Sequence, residues 1–224
     1  MALATHAEVV DGAVTERPLL RGTLHLGAAA AAMAGGVYLL LIAESARGYV
    51  SAAIFAASLI LMYGTSATYH RVGWRPSLRA VVKRLDHSMI FVLIGGTYTP
   101  FCLVVLDNGW GISILSVIWG VAGAGILLKV VWPEVPRYLG VTLYVTLGWL
   151  AVVPAPELTT RLTAVALALL IAGGVLYTFG GVTYALRKPD PWPRVLGYHE
   201  VFHLFVVAGS AAHYFVVATY VLPG

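Results

Sequence analysis

Two histidines four residues apart open the last long apolar segment of the chain, in the stretch Gly197-Tyr198-His199-Glu200-Val201-Phe202-His203. Residues four apart on a helix lie on one face, so both imidazoles can reach a single metal ion. The pattern His-Glu-x-x-His also matches a metalloprotease signature, in which the glutamate is the general base. Ionisable side chains at the edge of a membrane-length segment are costly and usually belong to a site. We therefore predict a metal site here; the alternative is that both histidines cap the helix and face lipid headgroups.

The composition indicates an integral membrane protein. Apolar residues make up 59% of the 224 residues and charged residues only 11%, and the mean hydropathy is +0.85. A soluble domain carries roughly 25% charged residues. The net charge of +4 is explained by orientation in a membrane, so we expect no nucleic-acid partner. The single cysteine, Cys102, excludes an intrachain disulfide.

Apolar runs separated by polar connections predict an all-α fold, a bundle of seven transmembrane helices. Roughly 20 apolar residues span the hydrocarbon core of a bilayer. Residues 1–21 are polar and are interpreted as a short cytoplasmic tail, and residues 22–224 as a single seven-helix membrane domain. The seven predicted helices cover about 24–43, 49–69, 88–106, 110–128, 138–153, 162–186 and 196–222.

The basic residues divide unevenly between the two sides of this predicted bundle. One side holds Arg17, Arg21, Arg71, Arg75, Arg79, Lys83, Arg84, Lys129, Arg137, Arg187, Lys188 and Arg194, which are 12 of the 14, and the other holds Arg47 and Arg161. Basic loops remain in the cytoplasm. The asymmetry therefore predicts a cytoplasmic amino terminus and a carboxyl terminus outside.

With this topology, polar groups from three helices meet at the cytoplasmic ends. The second helix ends at His70, the third starts at Asp86, and the seventh starts at His199 and His203. Three imidazoles with an open fourth position are typical of catalytic zinc, which lowers the pKa of water to roughly 7. We predict that Asp86 orients that water and takes its proton. Ser66, one turn before His70, could bond the water or support a ligand.

Each of these residues also has a simpler interpretation. Ser66 could hydrogen-bond its own helix backbone, and Asp86 could merely cap a helix. Glu200 points about 100° away from His199, towards a different neighbour, so it is a candidate for supporting the ligands and is not required as a general base. The other histidines are predicted to lie outside the site: His213 is too distant along the helix, His87 faces elsewhere, and His6 and His25 are incidental.

Together these motifs resemble the bacterial haemolysin III branch of the progestin and adiponectin receptor superfamily. The resemblance rests on Ser66-x-x-x-His70, Arg84-Leu85-Asp86-His87-Ser88, Gly96-Thr97-Tyr98-Thr99-Pro100-Phe101, His199-Glu200-x-x-His203 and His213-Tyr214. It extends from about the first helix to the end of the chain. The resemblance implies a seven-helix protein of the bacterial inner membrane, with its amino terminus inside and zinc near the cytoplasmic leaflet.

By the same resemblance, His70, His199 and His203 are the zinc ligands, Asp86 is the water-orienting carboxylate and Ser66 accompanies it. Iron or cobalt would also suit imidazole ligands. The small-residue helix faces suit packing within a bundle and between bundles equally, so the oligomeric state stays open.

Four functions are compatible with such a site. The first is a zinc-dependent hydrolase of a lipid amide or ester, because adiponectin-receptor relatives are associated with ceramidase activity; membrane lipids are then the partners. The second is a non-catalytic zinc-containing regulator of lipid or fluidity homeostasis. An intramembrane metalloprotease is less well supported, since the Asp-Gly motif such enzymes use occurs only at Asp11-Gly12 in the tail. A pore-forming cytolysin is also less well supported, because this sequence contains no long amphipathic helix.

Overall fold

Long apolar segments fold as helices in lipid, because each backbone N–H and C=O group must find a partner within its own segment. The structure is a computed structural model that describes residues 7–10, 13–16 and 18–223. Its helices are α1 Thr23–Ile42, α2 Ala46–Arg71, α3 Pro76–Pro100, α4 Gly109–Val131, α5 Arg137–Trp149, α6 Ala155–Arg161, α7 Ala164–Leu186 and α8 Tyr198–Val216. Short π- or 3₁₀-helical turns extend α3 over Phe101–Val105, α5 over Leu150–Val152 and α8 over Val217–Val221.

Six of these helices are long and apolar enough to cross a membrane, namely α1, α2, α3, α4, α7 and α8. The pair α5 and α6 passes the same test jointly but is bent by 53° at its break. Proline explains the bend. Pro154 directly precedes α6 and Pro156 lies in its first turn. Neither residue has a backbone N–H to donate to the preceding turn, so the helix that begins at α5 cannot run unbroken into α6. The described residues therefore contain six to seven candidate crossings, and the predicted helix 138–153 is the first part of a bent pair.

Helix α3 begins 12 residues earlier than the predicted start at residue 88, at Pro76. Proline suits the first position of a helix, and the basic segment after it is rich in residues that favour helix. Hydropathy does not reveal this start, because it shows where a segment suits lipid and not where a polar segment is helical. As a result Asp86 lies almost three turns inside α3, and the interpretation of Asp86 as a helix cap is wrong.

Helices that follow one another in sequence pack side by side. The main pairs are α1 with α2, α2 with α3, α3 with α4 and α7 with α8, and α1 also packs against α8. Phe55, Phe91 and Ile118 are fully buried between them. The short connections make neighbouring helices antiparallel, so the starts of α1, α3 and α8 and the end of α2 share one end of the bundle. We call this the histidine end.

A small hairpin precedes the bundle, which the all-α prediction did not include. Strands β1 Ala7–Val10 and β2 Ala13–Glu16 pair antiparallel. The signal was present in the sequence as Asp11-Gly12 between alternating residues, a strong short-range indication of a hairpin. Beyond it, the N–H groups of Leu19 and Leu20 donate to the carbonyls of Arg194 and Val195. The amino-terminal segment is thereby attached to the loop before α8.

Candidate metal centre

The three histidines predicted as ligands lie together at the histidine end. One nitrogen from each of His70, His199 and His203 lies within 4.8 Å of the others. His199 Nε2 is 3.1 Å from His70 Nε2, and the ring centroid of His203 lies 4.6 Å from that of His199 and 5.3 Å from that of His70. The predicted clustering is therefore present, whereas metal binding by the cluster stays a prediction.

The geometry suits a single small cation. Imidazole nitrogens bound tetrahedrally to zinc at 2.0–2.1 Å lie roughly 3.3 Å apart. Small side-chain rotations would bring the three nitrogens from within 4.8 Å of one another to this spacing. In addition, Nδ1 of the buried His203 has no hydrogen-bond partner within residues 18–223. Buried polar atoms nearly always have a partner. A bound cation, or a different ring rotamer, would give this nitrogen one.

The start of α8 is fixed by hydrogen bonds that orient its two histidines. The Glu200 carboxylate accepts from the N–H of Gly197 at 2.9 Å, and Asp190 accepts from the N–H of Tyr198 at 2.8 Å. Acceptors at a helix start satisfy N–H groups that have no partner within the helix. These hydrogen bonds fix the direction of the first turn of α8, and therefore the positions of His199 and His203.

Gly22, just before α1, allows His70 to sit close to the amino-terminal segment. Its φ is +75°, a conformation that residues with a Cβ avoid. A Cβ added there would lie only 2.8 Å from Cβ of His70. The sequence around Gly22 therefore brings the chain directly over the end of α2.

Glu200 has an anchoring position. It is fully buried, and its second oxygen lies 2.6 Å from Nε of Arg21. The carboxylate thus joins the amino-terminal segment to the start of α8. The contact places the carboxylate against a cation, while support of the zinc ligands by Glu200 stays a prediction.

We predict that Glu200→Ala lowers the free energy of unfolding by about 3 kcal/mol or more, because removing one partner of a buried ion pair leaves the other charge uncompensated. Glu200→Gln keeps an oxygen for Gly197 N–H and should lose less. Thermal unfolding of the detergent-purified variants measures both. Unchanged stability in Glu200→Ala would mean that the Arg21 contact does not hold the two segments together.

Asp86 and Ser66 reach the same cavity as the histidines. The cavity lies between α2, α3, α5, α7 and α8, with His25 of α1 also in its lining, and Asp86, Ser66, His199 and His203 line one end of it. The Asp86 carboxyl interacts with the Ser66 hydroxyl. That hydroxyl also lies 2.8 Å from Nδ1 of His25, so Ser66 contacts two other helices. The alternative in which Ser66 bonds its own backbone is not seen within the described residues.

His25 was predicted to be incidental, and that prediction is wrong. Its ring is buried and stacks on His203 with a centroid distance of 3.7 Å and an interplanar angle of 17°. Its Nδ1 bonds Ser66, so the residue contacts both a predicted ligand and the serine beside Asp86. A signal existed, since His25 lies in the first turn of a helix that starts at the histidine end. The same argument from depth that selected His70 would have selected it.

We expect His25→Phe to keep the stacked ring but remove the bond to Ser66, lowering zinc affinity about tenfold to a hundredfold, as loss of a group that orients a ligand does. Competition with a chromophoric chelator measures the affinity. Tyr63→Phe is the matched control, because the ring of Tyr63 also contacts His25, in an edge arrangement with the centroids 5.0 Å apart. Complete loss of zinc in His25→Phe would instead make His25 a ligand, and an unchanged affinity would mean that its contacts with Ser66 and His203 do not affect zinc binding.

Two of the remaining histidines have defined contacts. His213 donates from Nε2 to the carbonyl of Leu170, which confirms that it bonds within the bundle. His87 donates from Nδ1 to the carbonyl of Lys83 and also lines the cavity, so the expectation that it faces elsewhere is wrong. His6 lies outside the described residues.

Away from the histidine end the cavity is apolar. Met62, Leu93, Ile94, Val145 and Val206 line it, and Trp149 and Thr178 lie towards its other end. A cavity with a largely apolar lining and titratable groups near the histidines suits a lipid acyl chain whose headgroup linkage lies at the histidine end.

These features define a class: a multi-pass helical membrane protein with a group of three buried or partly buried histidines at one end of a largely apolar cavity. A family model described as Haemolysin-III related matches residues 14–214. The chain belongs to the haemolysin III family.

Named relatives agree with this assignment. The chain is 35% identical over 181 residues to "Hemolysin-3" of Bacillus cereus, covering 80% of this chain and 78% of the relative. It is 34% identical over 176 residues to the "Hemolysin-3 homolog" of Bacillus subtilis, covering 79% of each. A more distant relative is the "Adiponectin receptor protein" of Drosophila melanogaster, 26% identical over 183 residues, with 71% of this chain and 40% of the relative covered.

Proposed function

We propose that this protein is a zinc-dependent hydrolase that cleaves an amide or ester bond in a membrane lipid. The observation that carries the proposal is the placement of Asp86, His199 and His203 at one end of a largely apolar cavity, with His70 grouped directly beside the two histidines. A lipid whose acyl chain enters this cavity would bring its headgroup linkage to the histidines. Membrane lipids are accordingly the proposed partners and substrates.

Zinc held by the three imidazoles would polarise a substrate carbonyl and lower the pKa of water. The chain's own residues supply the remaining requirements. Asp86 accepts the proton of the attacking water and orients it, and Ser66 holds the carboxylate in place through its hydroxyl. His25 fixes Ser66 and the ring plane of His203 through its hydrogen bond and its stacking contact. The apolar lining binds the acyl chain and excludes bulk water.

The proposal includes the topology. We take the bent pair α5 and α6 as the seventh crossing, with the histidine end at the cytoplasmic face of a bacterial inner membrane. The 12 to 2 division of basic residues supports this orientation. The two exceptions lie at the opposite end, where Arg47 pairs with Asp107 and Arg161 pairs with Glu157.

The proposal is tested by incubating zinc-loaded protein in detergent or nanodiscs with a panel of lipids. The panel comprises a ceramide, a diacylphosphatidylcholine and a lysolipid, and released fatty acid is measured by mass spectrometry. We expect release from at least one lipid, loss of release on chelation and recovery when zinc returns. Tight zinc binding with no hydrolysis of any lipid would favour the non-catalytic regulator.

The metalloprotease alternative receives less support from the site. Both oxygens of Glu200 are engaged, one by the N–H of Gly197 and the other by Arg21, so the carboxylate is poorly placed to act as general base. The third histidine of the group, His70, comes from α2, and it would take the place of the carboxylate ligand that such enzymes use.

A further inference from the structure

A second cleft lies beside the main cavity at the histidine end. It has a volume of about 360 Å³ and lies between the first turns of α3 and the end of α4. Lys83 and Arg84 line it from α3, Lys129 from α4, and Trp132 and Glu134 from the connection to α5. His87 lines both this cleft and the main cavity.

The positive charge in the cleft has no matching carboxylates. Within residues 18–223, no carboxylate lies at ion-pair distance from Lys83, Arg84 or Lys129. Glu134 contributes one negative charge to the lining, which leaves an excess of two positive charges. Lys129 is only 6% exposed, and Nε of Arg84 is buried without a hydrogen-bond partner in the described residues.

Orientation in the membrane explains exposed basic residues but not this burial. A lysine that only sets topology can keep its ammonium in water. The ammonium of Lys129 instead packs against the backbone of Gly140, where an added Cβ would lie 2.8 Å from Nζ. The ammonium also lies over the ring of Tyr144, but the centroid is 5.7 Å away, close to the outer limit of a cation–π interaction. A buried charge is usually compensated by a partner.

We propose that this cleft binds a phosphate group, carried by an anionic lipid headgroup or as free phosphate. Lysine and arginine donors form short charge-assisted hydrogen bonds to phosphate oxygens, and Lys83, Arg84 and Lys129 offer them from two helices. Trp132, half-exposed at the rim, is of the residue type that sits at headgroup level in membranes. The site is separate from the three histidines, and its occupancy does not depend on zinc or on hydrolysis.

Binding is measured by calorimetry on the detergent-purified full chain with three probes. These are dioctanoyl phosphatidic acid, inorganic phosphate and dioctanoyl phosphatidylcholine, which has no net charge. We expect dioctanoyl phosphatidic acid to bind, and Lys129→Met to weaken it at least about tenfold, the loss of a hydrogen bond to a charged group. The matched control is Lys188→Met, since Lys188 is an exposed lysine outside the cleft; it should change the affinity less than twofold.

The three probes distinguish a lipid phosphate from free phosphate as the ligand. Binding of inorganic phosphate with the same dependence on Lys129 would support the site and identify free phosphate as the ligand. Equal weakening in Lys129→Met and Lys188→Met, or no weakening in either, would overturn the proposal. Lys129→Met replaces a buried charge by an apolar side chain of similar shape, so it should fold at least as stably as the parent. Arg84→Gln, at a half-buried position, provides a second test with the same expected loss of binding.

Discussion

Asp86→Asn is expected to reduce lipid hydrolysis about 10²- to 10⁴-fold, the range that general acid–base catalysis contributes, while zinc stays bound. The amide has nearly the same shape as the carboxyl group and can still bond Ser66, but it cannot accept a proton from water. Since Asp86 lies in the interior of α3, the substitution leaves the helix start untouched. Fatty-acid release and metal content are measured on the same preparation.

Glu44→Gln is the control for Asp86→Asn. Glu44 is an exposed acid between α1 and α2, at the opposite end of the bundle, and its variant should hydrolyse lipid at the parent rate. Full activity in Asp86→Asn would remove Asp86 from the proposed mechanism. Loss of zinc together with activity would mean that Asp86 binds the metal directly.

Single replacements of His70, His199 or His203 by alanine are expected to lower zinc affinity by more than about a hundredfold. Loss of a residue that only orients a ligand costs about tenfold to a hundredfold, and loss of a ligand should exceed that. Chelator competition gives the affinities, with unchanged helical circular dichroism as evidence of folding. Lipid hydrolysis should fall in parallel in all three variants.

His213→Ala provides the comparison within the same helix. His213 is on α8 and bonds Leu170 away from the cluster, so its loss tests whether any histidine substitution in this helix disturbs zinc. We expect parent-like affinity. If His213→Ala lost as much affinity as His203→Ala, the effect would reflect general damage to α8 and not coordination.

The meeting of His70, His199 and His203 was predictable because it follows from two regular features. The spacing of four residues places His199 and His203 on one helical face, and the alternation of antiparallel helices brings the end of α2 to the start of α8. Both features depend on periodicity and chain direction, which the sequence contains. The placement of Asp86 near Ser66 follows from the same alternation, although the start of α3 was predicted too late.

Other contacts depend on tertiary structure that no local pattern contains. Glu200 and Arg21 are 179 positions apart, and their ion pair forms only because the amino-terminal segment crosses the histidine end. The stacking of His25 on His203 likewise requires the packing of α1 against α8. The bend between α5 and α6 was signalled by Pro154 and Pro156, but hydropathy alone does not show whether a helix ends there or resumes.

The most direct test of the central claim is the metal content of the detergent-purified parent protein, determined by elemental mass spectrometry after zinc loading and dialysis. We expect about one zinc per chain, retained through dialysis and lost when His203 is replaced by alanine. A well-folded parent that retains no zinc, or one that retains as much zinc in the His203→Ala variant, would contradict this expectation.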